Sequence, residues 1–78
     1  MLENDTYRND YVFEPYEFTD VVSSGVTYIG LSGQGTGAVP QWRIKKILTT
    51  GGVTIIQYPD GDQSLTYKWD LRASYTYS

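Results

Sequence analysis

Only a few groupings of residues in this chain have types and spacings that could support chemistry. Gly33-Gln34-Gly35-Thr36-Gly37 has the look of a phosphate-binding loop. Such a loop needs a following helix whose N-terminal N–H groups point at the anion. Here Pro40 and a β-rich stretch follow, with no Gly-Lys-Ser/Thr ending, so the run reads as a mobile surface loop. Asp60-Gly61-Asp62 has two of the oxygens of a calcium loop but lacks the further ligands and the terminal Glu, so it reads as a turn. Of the nine acids, six lie in the first twenty residues, where nothing holds two carboxylates at a fixed separation. The chain has no His and no Cys. That removes the commonest general base, the commonest metal ligands, thiolate chemistry and disulfides. The expectation is a non-enzymatic protein with no metal and no cofactor.

Two binding chemistries remain. Trp42, Arg43, Lys45, Lys46 and Tyr58 could form an aromatic and basic face of the OB-fold type, which stacks bases over a positive groove. Exposed Tyr and Trp on strands could instead stack on sugars. Asp70 and Arg72, beside Trp69, could pair across a tight turn or grip a neighbouring chain. A surface pair of this kind contributes about 1 kcal/mol or less.

These residues must be positioned by strands. Gln41–Tyr58 reads as two strands folded back at Gly51-Gly52, the pair of positive-φ residues that a tight hairpin turn demands. In Trp42–Leu48 an extra residue at Lys45-Lys46, a β-bulge, would bring Trp42, Ile44, Ile47 and Thr49 to one side. The alternative is a two-sided strand whose lysines snorkel at the edge. Val53–Tyr58 carries Ile55-Ile56 with apolar groups on both faces, which suggests a central strand covered on both sides. Upstream, Tyr11–Phe13 is a short strand candidate. Tyr16–Ser23 alternates Tyr16, Phe18, Asp20 and Val22 on one face; Asp20 spoils that face and predicts a short or bulged strand. Ser24-Gly25 is a turn, and Val26–Leu31 a strand in which Gly30 marks a bulge or a close approach. Downstream, Pro59-Asp60-Gly61 is a sharp stop. Leu65–Trp69 and Ala73–Ser78 alternate as two further strands around a turn at Asp70-Leu71-Arg72. No segment has a helical period. The reading is an all-β fold: a small antiparallel β-sandwich or barrel of five to six strands with an extended N-terminal arm.

The chain has 78 residues, enough for one domain with a thin core. Small modules are stapled by disulfides, metals or association. With the first two removed, association of copies is the expected staple. Eight Tyr and two Trp supply the amphipathic area common at interfaces. Charge is segregated as well. Residues 1–20 hold six acids against Arg8, whereas residues 21–78 hold five bases against three acids. This divides the chain into an acidic extended arm, 1–20, and a small β domain, 21–78, and suggests either electrostatic pairing between them, within a chain or from copy to copy, or a solvated, solubilising leader. The net charge of −3 argues against a nucleic-acid partner. No apolar run is long enough to span a membrane, and the first residues lack the features of a signal peptide.

Four pieces in order carry a family resemblance: Tyr28-Ile29-Gly30; Trp42-Arg43-Ile44-Lys45-Lys46-Ile47; Tyr58-Pro59-Asp60-Gly61; and Trp69-Asp70-Leu71-Arg72-Ala73-Ser74-Tyr75-Thr76-Tyr77. This layout resembles small virion structural proteins of tailed bacteriophages, over residues 26–78. The last piece is the most specific. Leu71 departs from the pattern, which has Asn or Asp there, and the 32–39 loop is richer in Gly. The resemblance implies a non-enzymatic structural component of a virion, made in the host cytoplasm and docking on capsid, neck, tail or fibre proteins. A glycan-binding attachment module is the alternative reading, and an OB-like binder of single-stranded nucleic acid the second. The interface candidates are Tyr7, Tyr11, Phe13 and Tyr16 in the arm, and Lys45, Lys46, Trp69, Asp70 and Arg72 in the body, facing other virion proteins or further copies of the chain.

Overall fold

The computed structural model of the protein describes residues 15–78. The candidate strand Tyr11–Phe13 and the interface candidates Tyr7, Tyr11 and Phe13 lie outside the described residues. Four strands form one antiparallel sheet in sequential order: β1 (Tyr16–Ser23), β2 (Val26–Ser32), β3 (Trp42–Thr50) and β4 (Val53–Gln57). A 3-10 helix, Trp69–Ser74, follows. The all-β class is as expected. Among the described residues the sheet is single and open, not closed into a barrel or paired into a sandwich. None of the described helices is long and apolar enough to cross a membrane.

The tight turns set the register. Gly51 and Gly52 have φ of 59° and 81°, as the hairpin reading required, and Thr50 pairs with Val53 across them. The Ser24-Gly25 turn joins β1 to β2, and the ladder shifts between Val21 and Ser23, leaving Val22 as the extra residue. This is the bulge expected in β1. The bulge expected at Lys45-Lys46 is not there. Tyr28 pairs with Lys46 and Ile29 with Lys45 in an unbroken ladder. Strict alternation therefore puts Trp42, Ile44 and Lys46 on one face, and Arg43, Lys45 and Ile47 on the other. Lys46 is accommodated without a bulge because its Nζ lies over aromatic rings, 5.9 Å from the Tyr28 centroid and 5.5 Å from that of Tyr77.

The core lies on the Trp42 face. Tyr28, Trp42, Ile44 and Trp69 are its buried apolar residues, with Phe18, Val26, Val39, Tyr67, Tyr75 and Tyr77 packed around them. Phe18 stacks 4.5 Å from Trp42, and Trp69 sits 5.8 Å from both rings. Gly30 makes room for this stack: a Cβ there would lie 2.5 Å from Cε3 of Trp69 and 2.9 Å from Cε3 of Trp42. The close approach expected at Gly30 is thus a sheet surface flattened for two indoles.

The covering layer differs from the two strands expected after Pro59. Tyr67 makes a single bridge to Trp42 and Tyr77 one to Pro59, and the chain between them winds into the 3-10 helix. Trp69 drives this: placing its indole over Gly30 takes the chain across the sheet face instead of along its edge. Strand β4 is also corrected. It is an edge strand, and Ile55 and Ile56 are 49% and 50% exposed. The 32–40 loop, expected to be mobile, is tied down. The Trp42 indole N–H donates to the Thr36 carbonyl at 2.8 Å, and the Asp70 N–H to the Gly37 carbonyl at 3.1 Å. The fully buried Ser32 hydroxyl donates to Gln41 O and accepts from the Gln34 N–H.

Candidate interaction surfaces

Two surfaces collect the side chains that the sequence singled out. The first is the seam where the 3-10 helix meets β1. Arg72 Nε donates to Asp20 Oδ2 at 2.9 Å, and its Nη1 donates to the Trp69 carbonyl at 3.1 Å. The guanidinium lies over the Trp69 ring at 4.5 Å. Asp20 shares the core face with Phe18, so the carboxylate that spoils the apolar pattern of β1 is there to receive Arg72. Of the two roles expected for Asp70 and Arg72, the pair across a tight turn gives way to Asp20–Arg72. Tyr77 closes the other side of the helix, its hydroxyl donating to the Arg72 carbonyl at 2.7 Å. Burial pushes the Tyr77 phenol well above its ordinary range.

The second surface is the opposite face of the sheet. Register places Leu31 beside Arg43 and Ile29 beside Lys45. Together with Tyr58 and Gln63 these residues line a cavity of about 220 Å³. The lining is aliphatic at Ile29 and Leu31 and cationic at Arg43 and Lys45. Arg43 Nε donates to the Gln63 carbonyl at 2.9 Å, which fixes the wall of the cavity to β3. That wall is braced from behind. Asp62 accepts from the Ser64 N–H, the Ser64 hydroxyl and the Tyr67 hydroxyl. The Ser64 N–H, then its hydroxyl, hold the Asp62 carboxylate below its usual range. Partial burial, and then the bond to Asp62, raise the Tyr67 phenol. Asp60 and Gly61 both take positive φ, and Asp62 N–H closes the turn on Pro59 O at 2.8 Å. The Asp60-Gly61-Asp62 segment is therefore a turn, as read.

The individual residues divide as follows. Tyr16 is 45% exposed, at the end of β1. Tyr16–Asp20, assigned to the arm by charge, form the first part of β1. Lys45 faces the cavity, whereas Lys46 lies in the aromatic layer behind it. Trp69, expected at an interface, is core, 7% exposed. Asp70 is exposed and tied by its backbone to Gly37. The aromatic and basic OB-type face does not form as a unit. Trp42 is fully buried on one side, and only Tyr58 joins Arg43 and Lys45 on the other.

Among the described residues no three His, Cys, Asp or Glu side chains come together as metal ligands. The cavity, aliphatic at Ile29 and Leu31 and cationic at Arg43 and Lys45, suits a group that is part apolar and part acidic. Sequence reading missed it because it joins two strands to a loop twenty residues away. The alternation of Ile29 with Leu31 and of Arg43 with Lys45 is the signal that would have found it. A comparison with known proteins finds no matching family model, no matching curated protein and no matching solved structure.

Proposed function

We propose that the protein is a non-enzymatic structural module of a tailed-phage virion, present in several copies and docking through its surfaces on other virion proteins. The observation that carries this reading is the imbalance between core and surface. Among the described residues the buried core is Tyr28, Trp42, Ile44 and Trp69, whereas Tyr16, Val21, Val22, Val53, Ile55, Ile56 and Leu71 are large apolar side chains left exposed. A domain with so thin a core gains stability by covering such residues with protein. The resemblance of its layout to small phage virion proteins supports it further. Its most specific piece, Trp69–Tyr77, supplies the indole, the guanidinium and the tyrosines that hold the covering layer on the sheet.

In this reading the acidic segment before the sheet is an arm. Residues 1–14 carry four acids against Arg8, and Tyr7, Tyr11 and Phe13 among them. The cavity of Ile29, Leu31, Arg43 and Lys45 has the complementary chemistry. Because Tyr16–Asp20 belong to the sheet, the test removes residues 1–14 only. A phage supplied with this shortened protein is expected to leave it out of its particles, while the shortened protein still folds. Normal incorporation counts against the arm.

A further inference from the structure

Strand β4 is an unguarded edge. Val53-Thr54-Ile55-Ile56-Gln57 has no charge and no proline, and its three aliphatic residues are 49–59% exposed. Natural edges are blunted by charges, prolines or bulges, because a bare row of N–H and C=O groups pairs with other strands. The other edge, β1, has such protection: Pro15 at its entrance, Glu17 and Asp20 along it, and a bulge at Val22.

Backbone parity shows which groups β4 offers. A two-residue turn closes on a hydrogen-bonded pair, here Thr50 and Val53. Alternation then directs Val53, Ile55 and Gln57 inward to β3, and Thr54 and Ile56 outward. Tyr58, the next residue of outward parity, agrees. Its N–H and carbonyl both bond to the C-terminal Ser78, each at 3.0 Å. Among the described residues nothing pairs with the outward groups of Thr54 and Ile56.

We infer that β4 pairs antiparallel with β4 of a second copy about a twofold axis at Ile55. This gives the association of copies proposed above its contact surface, and it rests on that reading. In this register Thr54 lies opposite Ile56 of the second copy, so the four outward groups of each strand are satisfied reciprocally. Ile55 meets its own counterpart in the closer, non-hydrogen-bonded pair. The strand is neutral, so self-pairing brings no like charges together. Ser78, seated on Tyr58, stops the ladder beyond Gln57. The second copy is favoured over a foreign strand by closure: among the described residues, joining the two bare edges leaves the two guarded β1 edges as the ends of the sheet, and growth ends at a pair.

The test uses the full chain, its Thr54→Pro and Ile55→Lys variants, and Val21→Lys on the β1 edge as control. Thr54→Pro deletes an outward N–H and keeps the backbone bonds to β3, losing there only the 3.4 Å contact of the Thr54 and Thr49 hydroxyls, and Ile55→Lys sets two cations face to face across the axis. Light scattering over a concentration series is expected to give a pair for the parent and the control, and half that mass for both β4 variants, with unchanged circular dichroism. Amide exchange adds a readout that needs no variant: the Thr54 and Ile56 N–H groups become protected as concentration rises. An assembly that survives both β4 variants, or exchange at Thr54 and Ile56 that ignores concentration, overturns the edge contact alone. A parent that stays a monomer throughout overturns both this contact and the association of copies.

Discussion

Arg72 and Asp20 stand 52 positions apart in the chain and meet at 2.9 Å, tying the 3-10 helix to the first strand of the sheet. The same guanidinium covers Trp69 and bonds to its carbonyl, so one side chain holds strand, helix and core together. Arg72→Ala is expected to cost about 1–3 kcal/mol, from a part-buried ion pair, a charged hydrogen bond and a cation–π contact. Arg72→Lys keeps the charge but loses the planar fork, so it recovers less than half of that loss. Urea unfolding measures both. An Arg72→Ala change below about 0.5 kcal/mol, the range of a neutral surface substitution, contradicts the role assigned to this residue.

Gly30 carries the second prediction. Adding one methyl group there drives into Trp69 and Trp42, both of them buried. Gly30→Ala is expected to destabilise by about 1–3 kcal/mol or more through overpacking. Trp69→Leu, which shrinks the overlying ring, is expected to rescue part of that cost when combined with it. Additive losses in the double variant would show that the two positions do not touch.

Legibility in the sequence divided along the same line. The local signals were enough for the hairpin at Gly51-Gly52, the turn at Asp60-Gly61 and the bulge in β1, because glycine and alternation act within a few residues. Leu65–Trp69 and Ala73–Ser78 read as strands around a turn, because what bends Trp69–Ser74 into a 3-10 helix is an indole packed over Gly30, 39 positions upstream. The bulge expected at Lys45-Lys46 fails for a related reason. A lysine in an apolar pattern suggests a bulge until two distant tyrosines supply it with rings. Ile55-Ile56 signals a doubly covered strand only when the chain itself does the covering, and here the described residues leave both exposed. The cavity was invisible because its wall is brought in by Gln63, far in the chain from Ile29 and Leu31.

The third prediction concerns pH. The Tyr67 and Tyr77 phenols are held protonated by burial, so their folded pKa values lie above the ordinary value of 10.0. Their contribution to stability is full below that value and is lost as pH rises through the folded values. Asp62 is the opposite case. Its pKa is lowered from 3.8, so its contribution is present above that value and lost as pH falls through the folded one. Urea midpoints are expected to fall on both the acid and the alkaline side, and Tyr77→Phe to reduce the alkaline slope. A midpoint that stays flat from about pH 9 to about pH 11, across the ordinary tyrosine range, contradicts buried phenols.

Trp42 supplies the fourth. It is fully buried, stacks on Phe18 and ties the loop through Thr36. Trp42→Ala is expected to cost about 3–5 kcal/mol, comparable with the whole stability of a small domain. The variant should be largely unfolded at room temperature by circular dichroism. A folded Trp42→Ala variant would move the centre of the core elsewhere.

We propose that this chain is a building part of a phage particle, and quantitative mass spectrometry of purified phage virions tests that proposal. The protein is expected in the particles at a fixed ratio to the major capsid protein, in several copies, through repeated purification. A protein that is made during infection but absent from purified particles contradicts it.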